Sequence, residues 1–349
     1  MSTYIILLLL LIMAGVTIYA YSNRRSKVIT TSKEKDMPNQ EETKETAPVE
    51  AKKPRAKKPT QDELIQSFAN RKGYDYKFVR TRKFKIDLDD LLKNLKNQLT
   101  PLLQPQPDND HFLKYHHFTI AMNRERKMPL LAAVNINGAQ SIENPRDSDK
   151  WSYDPRIDKT EQLGKDIYKN NNLDLGHLIR RLDPVWGEEA LQADEDTFHF
   201  TVCAPQHKKL NRVTWLSLEN YILKNTDLED LKVSVFTGPV FSERDMDYRD
   251  IKLPLQFWKM VALIKKDGTP SVTAYILSHE DYLSDMGERG IIGEEGFGEY
   301  KTFQISLNRL QELTHLNIDK LKIYDPLMNT RALGDVDYFE VGNMDNIVL

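Results

Sequence analysis

The alternation of apolar and polar positions divides the chain into three textures. Tyr4–Tyr21 (YIILLLLLIMAGVTIYAY) is an apolar run without a charge. As a helix it would rise about 27 Å, close to a bilayer's hydrocarbon thickness. A transmembrane anchor is expected over residues 4–21. A cleaved signal peptide ending near Ala20 is the alternative, and the uncharged Met-Ser-Thr before the run speaks against it. Residues 22–60 carry Lys, Glu, Thr and Pro with hardly an apolar side chain. Such a segment cannot bury enough surface to offset its chain entropy and is expected to be a disordered, charged linker.

From residue 61 to 349 the texture is globular. Leu130–Gly138, Leu231–Phe241, Phe257–Lys266 and Ser271–Leu277 are apolar, β-branched runs that predict strands. Within the second of these, VFTGPVF (Val235–Phe241) predicts a strand ending in a Gly-Pro turn. Leu88–Leu99, Asn211–Lys224 and Ser306–Leu316 space their apolar residues as helices do. Strand and helix do not alternate strictly and no unit repeats. The expectation is an α+β domain, a mainly antiparallel sheet flanked by helices.

The 349 residues hold 49 Lys+Arg against 52 Asp+Glu, a net charge of −3, which excludes a globally basic nucleic-acid coat protein. Basic patches remain: AKKPRAKKP in the linker, suited to anionic lipid or nucleic acid or simply solvated, and KFVRTRKFK (Lys77–Lys85), suited to a nucleic-acid backbone or a solvated edge strand. One cysteine, Cys203, rules out an internal disulfide and reads as a small core residue. His116 and His117, adjacent on a predicted strand, face opposite sides and cannot chelate one ion together. The Gly-rich stretch 287–300 lacks the Lys-Ser/Thr of a phosphate loop and reads as a surface loop.

Three segments hold the candidate chemistry. In Asn171–Pro184, Asp174, His177, Arg180 and Arg181 gather around Gly176. Asp196–Tyr221 reads as a strand passing through a polar turn into a helix, and VFTGPVF is the third. On that helix Asn211 and Glu219, eight residues apart, are about 80° apart around the axis and flank one face. An amide and a carboxylate so placed suit a hard divalent cation held through waters; a helix cap at Asn211 and a solvent-exposed Glu219 are the plainer alternative.

Asp174-Leu-Gly-His177-Leu, followed by Pro205-Gln206, Asn211, Trp215 and Leu218-Glu219, resembles the DNA/RNA non-specific endonuclease family with its ββα-metal finger. Leu113–Gly138, VFTGPVF, Leu253–Val261 and Leu313–Pro326 resemble the family's other landmarks in order. The resemblance implies metal-dependent hydrolysis of phosphodiester bonds in DNA and RNA. His177 matches the general base, suited to the task as a neutral imidazole. Asn211 matches the direct ligand of Mg²⁺, with Mn²⁺ as an alternative ion, and Glu219 matches the carboxylate that orients water around it. Asp174 and Gly176 complete the motif.

Two positions depart from the family pattern. Leu175 stands where the motif has arginine and cannot pair with a phosphate oxygen. Val202 stands where an asparagine ordinarily helps hold the finger together. Arg156, Arg180 and Arg181 are candidates for the missing positive charge, with structural ion pairs as their alternative. A membrane-tethered nuclease is expected; a catalytically impaired, membrane-tethered nucleic-acid-binding protein of the same fold is the alternative. Arg24, Arg25 and Lys27 after the apolar run favour a cytoplasmic domain. The resemblance, to a family whose members are usually exported or organellar, favours the opposite side.

Overall fold

Eight strands form one antiparallel sheet: β1 (Phe112–Lys114), β2 (Phe118–Asn123), β3 (Met128–Asn137), β6 (Lys232–Val240), β9 (Gln256–Ile264), β10 (Pro270–Ser278), β11 (Thr302–Ile305) and β12 (Tyr338–Glu340), neighbours in that order. Two ribbons stand apart from it, β4 (Leu173–His177) with β5 (Cys203–His207), and β7 (Met246–Tyr248) with β8 (Ile251–Leu253). This computed structural model describes residues 58–146, 149–211, 230–283, 302–329 and 338–341, with Leu218, Glu219, Ile222 and Ile347. The expected anchor, nearly all of the linker, the 287–300 stretch, Trp215 and most of the Asn211–Lys224 helix lie outside the described residues. Among the described residues no helix is long and apolar enough to cross a membrane.

The central strands are buried on both faces, which is why they read as near-continuous apolar runs. On β3, Ala132, Val134 and Ile136 join one core, while Leu131 and Ala133 join the other. On β9 the same alternation sends Phe257, Val261 and Leu263 to the first core and Trp258, Met260 and Ala262 to the second. The first core is closed by Leu178, Val202, Ala204, Leu210 and Leu218 from the β4–β5 ribbon and the chain after it. The second is closed by Leu91, Leu92 and Leu95 and by Leu307, Leu310 and Leu316.

Three local expectations change. Gly238 and Pro239 do not turn the chain; both lie inside β6. A Cβ at Gly238 would stand 2.5 Å from the Leu130 carbonyl oxygen and 2.9 Å from the Trp258 indole nitrogen, so glycine lets neighbouring chain and ring close in. Pro239 falls beyond the pairing with β3, whose last partner is Thr237, so no ladder donor to that side is lost. Leu88–Leu99 is helical only over Leu88–Leu91; a 3-10 turn at Lys96–Gln98 then leads Leu99 into a bridge with Asn123. His116 and His117 sit in the turn between β1 and β2 rather than on a strand, with His117 in the left-handed region (φ 66°). Ser306–Leu316, by contrast, gives the helix Leu307–Thr314, capped by the Ser306 hydroxyl accepting from the Arg309 N–H.

Candidate active site

The β4–β5 ribbon sets the register of the site. It pairs Asp174 with Gln206, Gly176 with Ala204 and His177 with Cys203. Gly176 is required by contact: a Cβ there would lie 2.2 Å from Gln206 Oε1, and the Gln206 side chain is fully buried. The ribbon is fastened to the fold through the Leu178 N–H, which donates to the Val202 carbonyl at 2.9 Å. Val202 itself is buried in the first core, so main-chain bonding and apolar packing anchor the finger at this point. Cys203 is a buried core thiol as expected, its pKa pushed up to about 12 by burial.

The ribbon and the chain that follows open on a cavity of about 610 Å³. His177, Asp174, Asn211 and Glu219 line it, together with Leu175, Trp151 and three guanidinium groups, Arg146, Arg180 and Arg181. His177, Asn211 and Glu219, selected from sequence, are thus brought to one place.

His177 is held as a neutral imidazole. Its pKa is lowered to about 4, first by burial and then by the charges of Arg146 and Arg181, against the opposing pull of Asp149 and a hydrogen bond to the Thr197 main chain. Its Nε2 is buried and has no hydrogen-bond partner among the described residues, leaving an acceptor lone pair available. The ring is fixed from the sides by Trp151 (centroids 4.8 Å apart) and Phe198 (5.5 Å).

Asn211 donates through Nδ2 to Asp174 Oδ2 at 3.2 Å. An ionised carboxylate only accepts, so this contact assigns the amide: the nitrogen faces Asp174 and Oδ1 is left for a ligand. Helical conformation already begins at Lys208, so Asn211 lies within the first turn and is not its cap. Glu219 is not solvent-exposed; it is buried and paired with Lys259 at 3.2 Å. Lys259 rises from the middle of β9 on the same face as Phe257 and Val261, and is itself 1% exposed. The donor set fits a hard cation: one neutral amide oxygen, with the Asp174 and Glu219 carboxylates in the same cavity to order water around it. No cluster of three or more His, Cys, Asp or Glu able to hold a metal occurs among the described residues.

The arginines separate into two groups. Arg181 lines the cavity while tied to Asp194 (2.9 and 3.1 Å) and to the Asn144 carbonyl (2.7 Å). Arg180 also lines it, with an ion pair to Asp183 at 3.8 Å. Arg156 is not brought to the site. It is buried in a fork with Asp154 (2.6 and 3.0 Å), donates to the Lys114 carbonyl, and stacks over Phe68 and Tyr115 at 4.1 and 4.5 Å. That fork consumes the donors a phosphate would need, so its role is structural.

Sequence alone does not single out four residues: Arg146, its partner Asp149 (Nε to Oδ1 2.7 Å) and Trp151, which line the cavity, and Lys259, which pairs with Glu219 behind it. Arg146, Asp149 and Trp151 lie upstream of the histidine motif with no spacing of their own to single them out. Lys259 is the one charge inside β9, but nothing in the sequence points to Glu219 as its partner.

A neutral imidazole, a carboxamide and three guanidinium groups around one cavity form a setting suited to a phosphorylated substrate. The family profile described as DNA/RNA non-specific endonuclease matches residues 97–322, and the chain belongs to that family. An uncharacterized protein, y4fB, from Sinorhizobium fredii is 40% identical over 218 residues, 59% of this chain and 33% of that protein. The chain thus spans about a third of the length of this curated relative. Among solved structures, the crystal structure of an EndoG/EndoGI complex aligns with a TM-score of 0.47 at 15% identity, covering 63% of this chain and 91% of that one.

Proposed function

We propose that the protein is a metal-dependent endonuclease that hydrolyses phosphodiester bonds in DNA and RNA. The observation that carries this is the convergence in one cavity of an unpartnered, neutral His177 Nε2, an Asn211 amide turned by Asp174 to present its oxygen, and Arg146, Arg180 and Arg181. His177 takes the proton from a water attacking phosphorus, and the bond to the 3′-oxygen breaks. Trp151, Phe198 and the Thr197 main chain hold the ring for that transfer. The arginines face the phosphate oxygens. Asn211 would hold Mg²⁺ or Mn²⁺, with Asp174 and Glu219 ordering water around it, and the ion when bound supplies charge stabilisation at the phosphate and the leaving oxygen. Because water is the nucleophile and phosphate the recognised group, neither a 2′-hydroxyl nor a base sequence is needed.

Leu175 in the cavity wall supports a second reading, a nucleic-acid-binding protein with impaired catalysis. The full chain, in detergent, incubated with supercoiled plasmid and with RNA, with and without Mg²⁺, separates the two. Metal-dependent degradation lost in His177→Ala and in Asn211→Ala is expected. Salt-sensitive binding without cleavage would favour the second reading. Residues 4–21 are proposed to tether the domain to a membrane, and protease protection in intact cells reports the side on which it lies.

A further inference from the structure

The basic segment Lys77–Lys85 is folded so that its apolar residues are used up inside and its charges are left outside. Val79 and Phe84 are buried in the second core, and Thr81 closes the turn, its N–H donating to the Phe84 carbonyl at 3.0 Å. Lys77, Arg80, Arg82, Lys83 and Lys85 all remain exposed, and none forms an ion pair among the described residues. Lys85 is felt by the Asp90 carboxylate, which is already paired with Lys320 at 2.9 Å. The charges are gathered rather than splayed: the ammonium groups of Lys77 and Lys85 each stand 5.5 Å from the Tyr76 ring centroid, and Lys232 stands 5.1 Å over Phe78. Five exposed like charges within nine residues, in a chain of net −3, form a local positive field suited to a polyanion.

This strip is joined to the cavity by a continuous path. Phe78 stacks on Trp186 (5.5 Å) and Trp186 on His117 (3.5 Å). Trp186 bridges Ser141, and the chain from Ser141 runs past Val185 and the Arg181 side chain to Arg146 in the cavity wall. Ser141 to Arg146 can span at most about 18 Å, a length matched by about five phosphates at 3.4 Å per strand. Two acids lie beside Trp186: Glu188 is exposed, and Glu189, 3.7 Å from His117, keeps a half-exposed side chain.

We infer that the Lys77–Lys85 strip, with Lys232, is a second docking surface for the phosphate backbone of a nucleic acid whose cleaved segment occupies the cavity. Long substrates are then held at two places and short ones at one. The inference rests on the endonuclease reading for what fills the cavity, but the strip is tested by binding alone.

The test uses the full chain in detergent, carrying Lys77→Gln, Arg80→Gln, Arg82→Gln, Lys83→Gln and Lys85→Gln, all exposed positions outside the active site. Binding of a 30-base-pair duplex and of a hexanucleotide is measured in EDTA between 50 and 200 mM KCl, with hexanucleotide cleavage in Mg²⁺ alongside. A companion variant with Lys52, Lys53, Arg55, Lys57 and Lys58 changed to Gln keeps the linker's contribution separate. The strip variant is expected to bind the duplex at least tenfold more weakly at 100 mM salt. Its slope of log K against log salt should be shallower by about four, since each phosphate contact contributes roughly 0.9. Hexanucleotide binding and cleavage stay as in the unaltered chain. An unchanged duplex affinity and slope, or an equal loss on the hexanucleotide, overturns the proposal. So does loss of binding to phosphatidylserine vesicles while duplex binding persists, which would make the strip a lipid surface. Strip-dependent duplex binding by a chain that cleaves nothing upholds the strip and removes the endonuclease reading. Cleavage with no dependence on the strip does the reverse.

Discussion

His177 holds its proton acceptor ready far below neutral pH, because burial and two neighbouring guanidiniums disfavour the imidazolium. The acid limb of kcat/KM, which reports the free enzyme, is therefore expected near pH 4 rather than at the ordinary histidine value of about 6.5. A limb at 6.5 would mean that the ring is hydrated. The Lys259–Glu219 pair makes a different demand. Lys259→Met strands a buried carboxylate and should destabilise the fold by about 3–5 kcal/mol. Adding Glu219→Gln should recover much of that in a urea melt while plasmid cleavage stays low; recovery of neither would show that Lys259 matters for packing alone. Leu175→Arg would add a fourth guanidinium to a wall where Asp149 and Asp194 already neutralise two. Turnover is expected to rise by up to about tenfold, and an unchanged or lower rate would show that Leu175 is not the deficit. At this scale the histidine, asparagine and glutamate were legible through the family resemblance of their motifs, while the Asn211–Glu219 spacing alone left a helix cap and an exposed carboxylate open. Arg146 and Lys259 were not, because a long loop and a distant strand bring them in. Arg156 misled because an arginine in a fork with a buried aspartate looks, in sequence, like any other.

Among the elements, the β4–β5 ribbon is the least tolerant of change. Gly176→Ala forces a methyl against Gln206, which is sealed in and cannot swing away. A loss of about 1–3 kcal/mol is expected, with cleavage falling further than stability because His177 is the next residue. Gly176→Ala with Gln206→Ala should regain stability in the same melt; if it does not, the glycine is needed for its backbone rather than for space. The strands of the main sheet were plain in the sequence because cores on both faces demand unbroken apolar runs. The Gly-Pro pair inside β6 was not: its meaning depends on Trp258 and Leu130, which come from other strands. The Leu88–Leu99 spacing was helical, yet one turn of helix and a 3-10 turn place the same leucines, since what the second core selects is their burial and not their hydrogen-bonding pattern.

For the whole molecule, two histidines are buried uncharged, His177 and His279, each with its pKa lowered to about 4 chiefly by burial. The unfolded chain binds protons at these sites below about 6.5 while the folded chain does not until about 4. Stability therefore falls as pH drops through that window, by a few kcal/mol in all. The urea midpoint should be clearly lower at pH 5 than at pH 7, and equal midpoints would mean that neither ring is sealed. The seating of the finger has a further consequence. Leu178, Val202 and Ala204 belong to the same core as β3, β6 and β9, so the ribbon that carries His177 has no core of its own. No proteolytic fragment bearing the histidine motif alone should retain enzymatic function. Loss of cleavage on heating should track loss of the sheet, making the activity itself a gauge of whether the domain as a whole is folded.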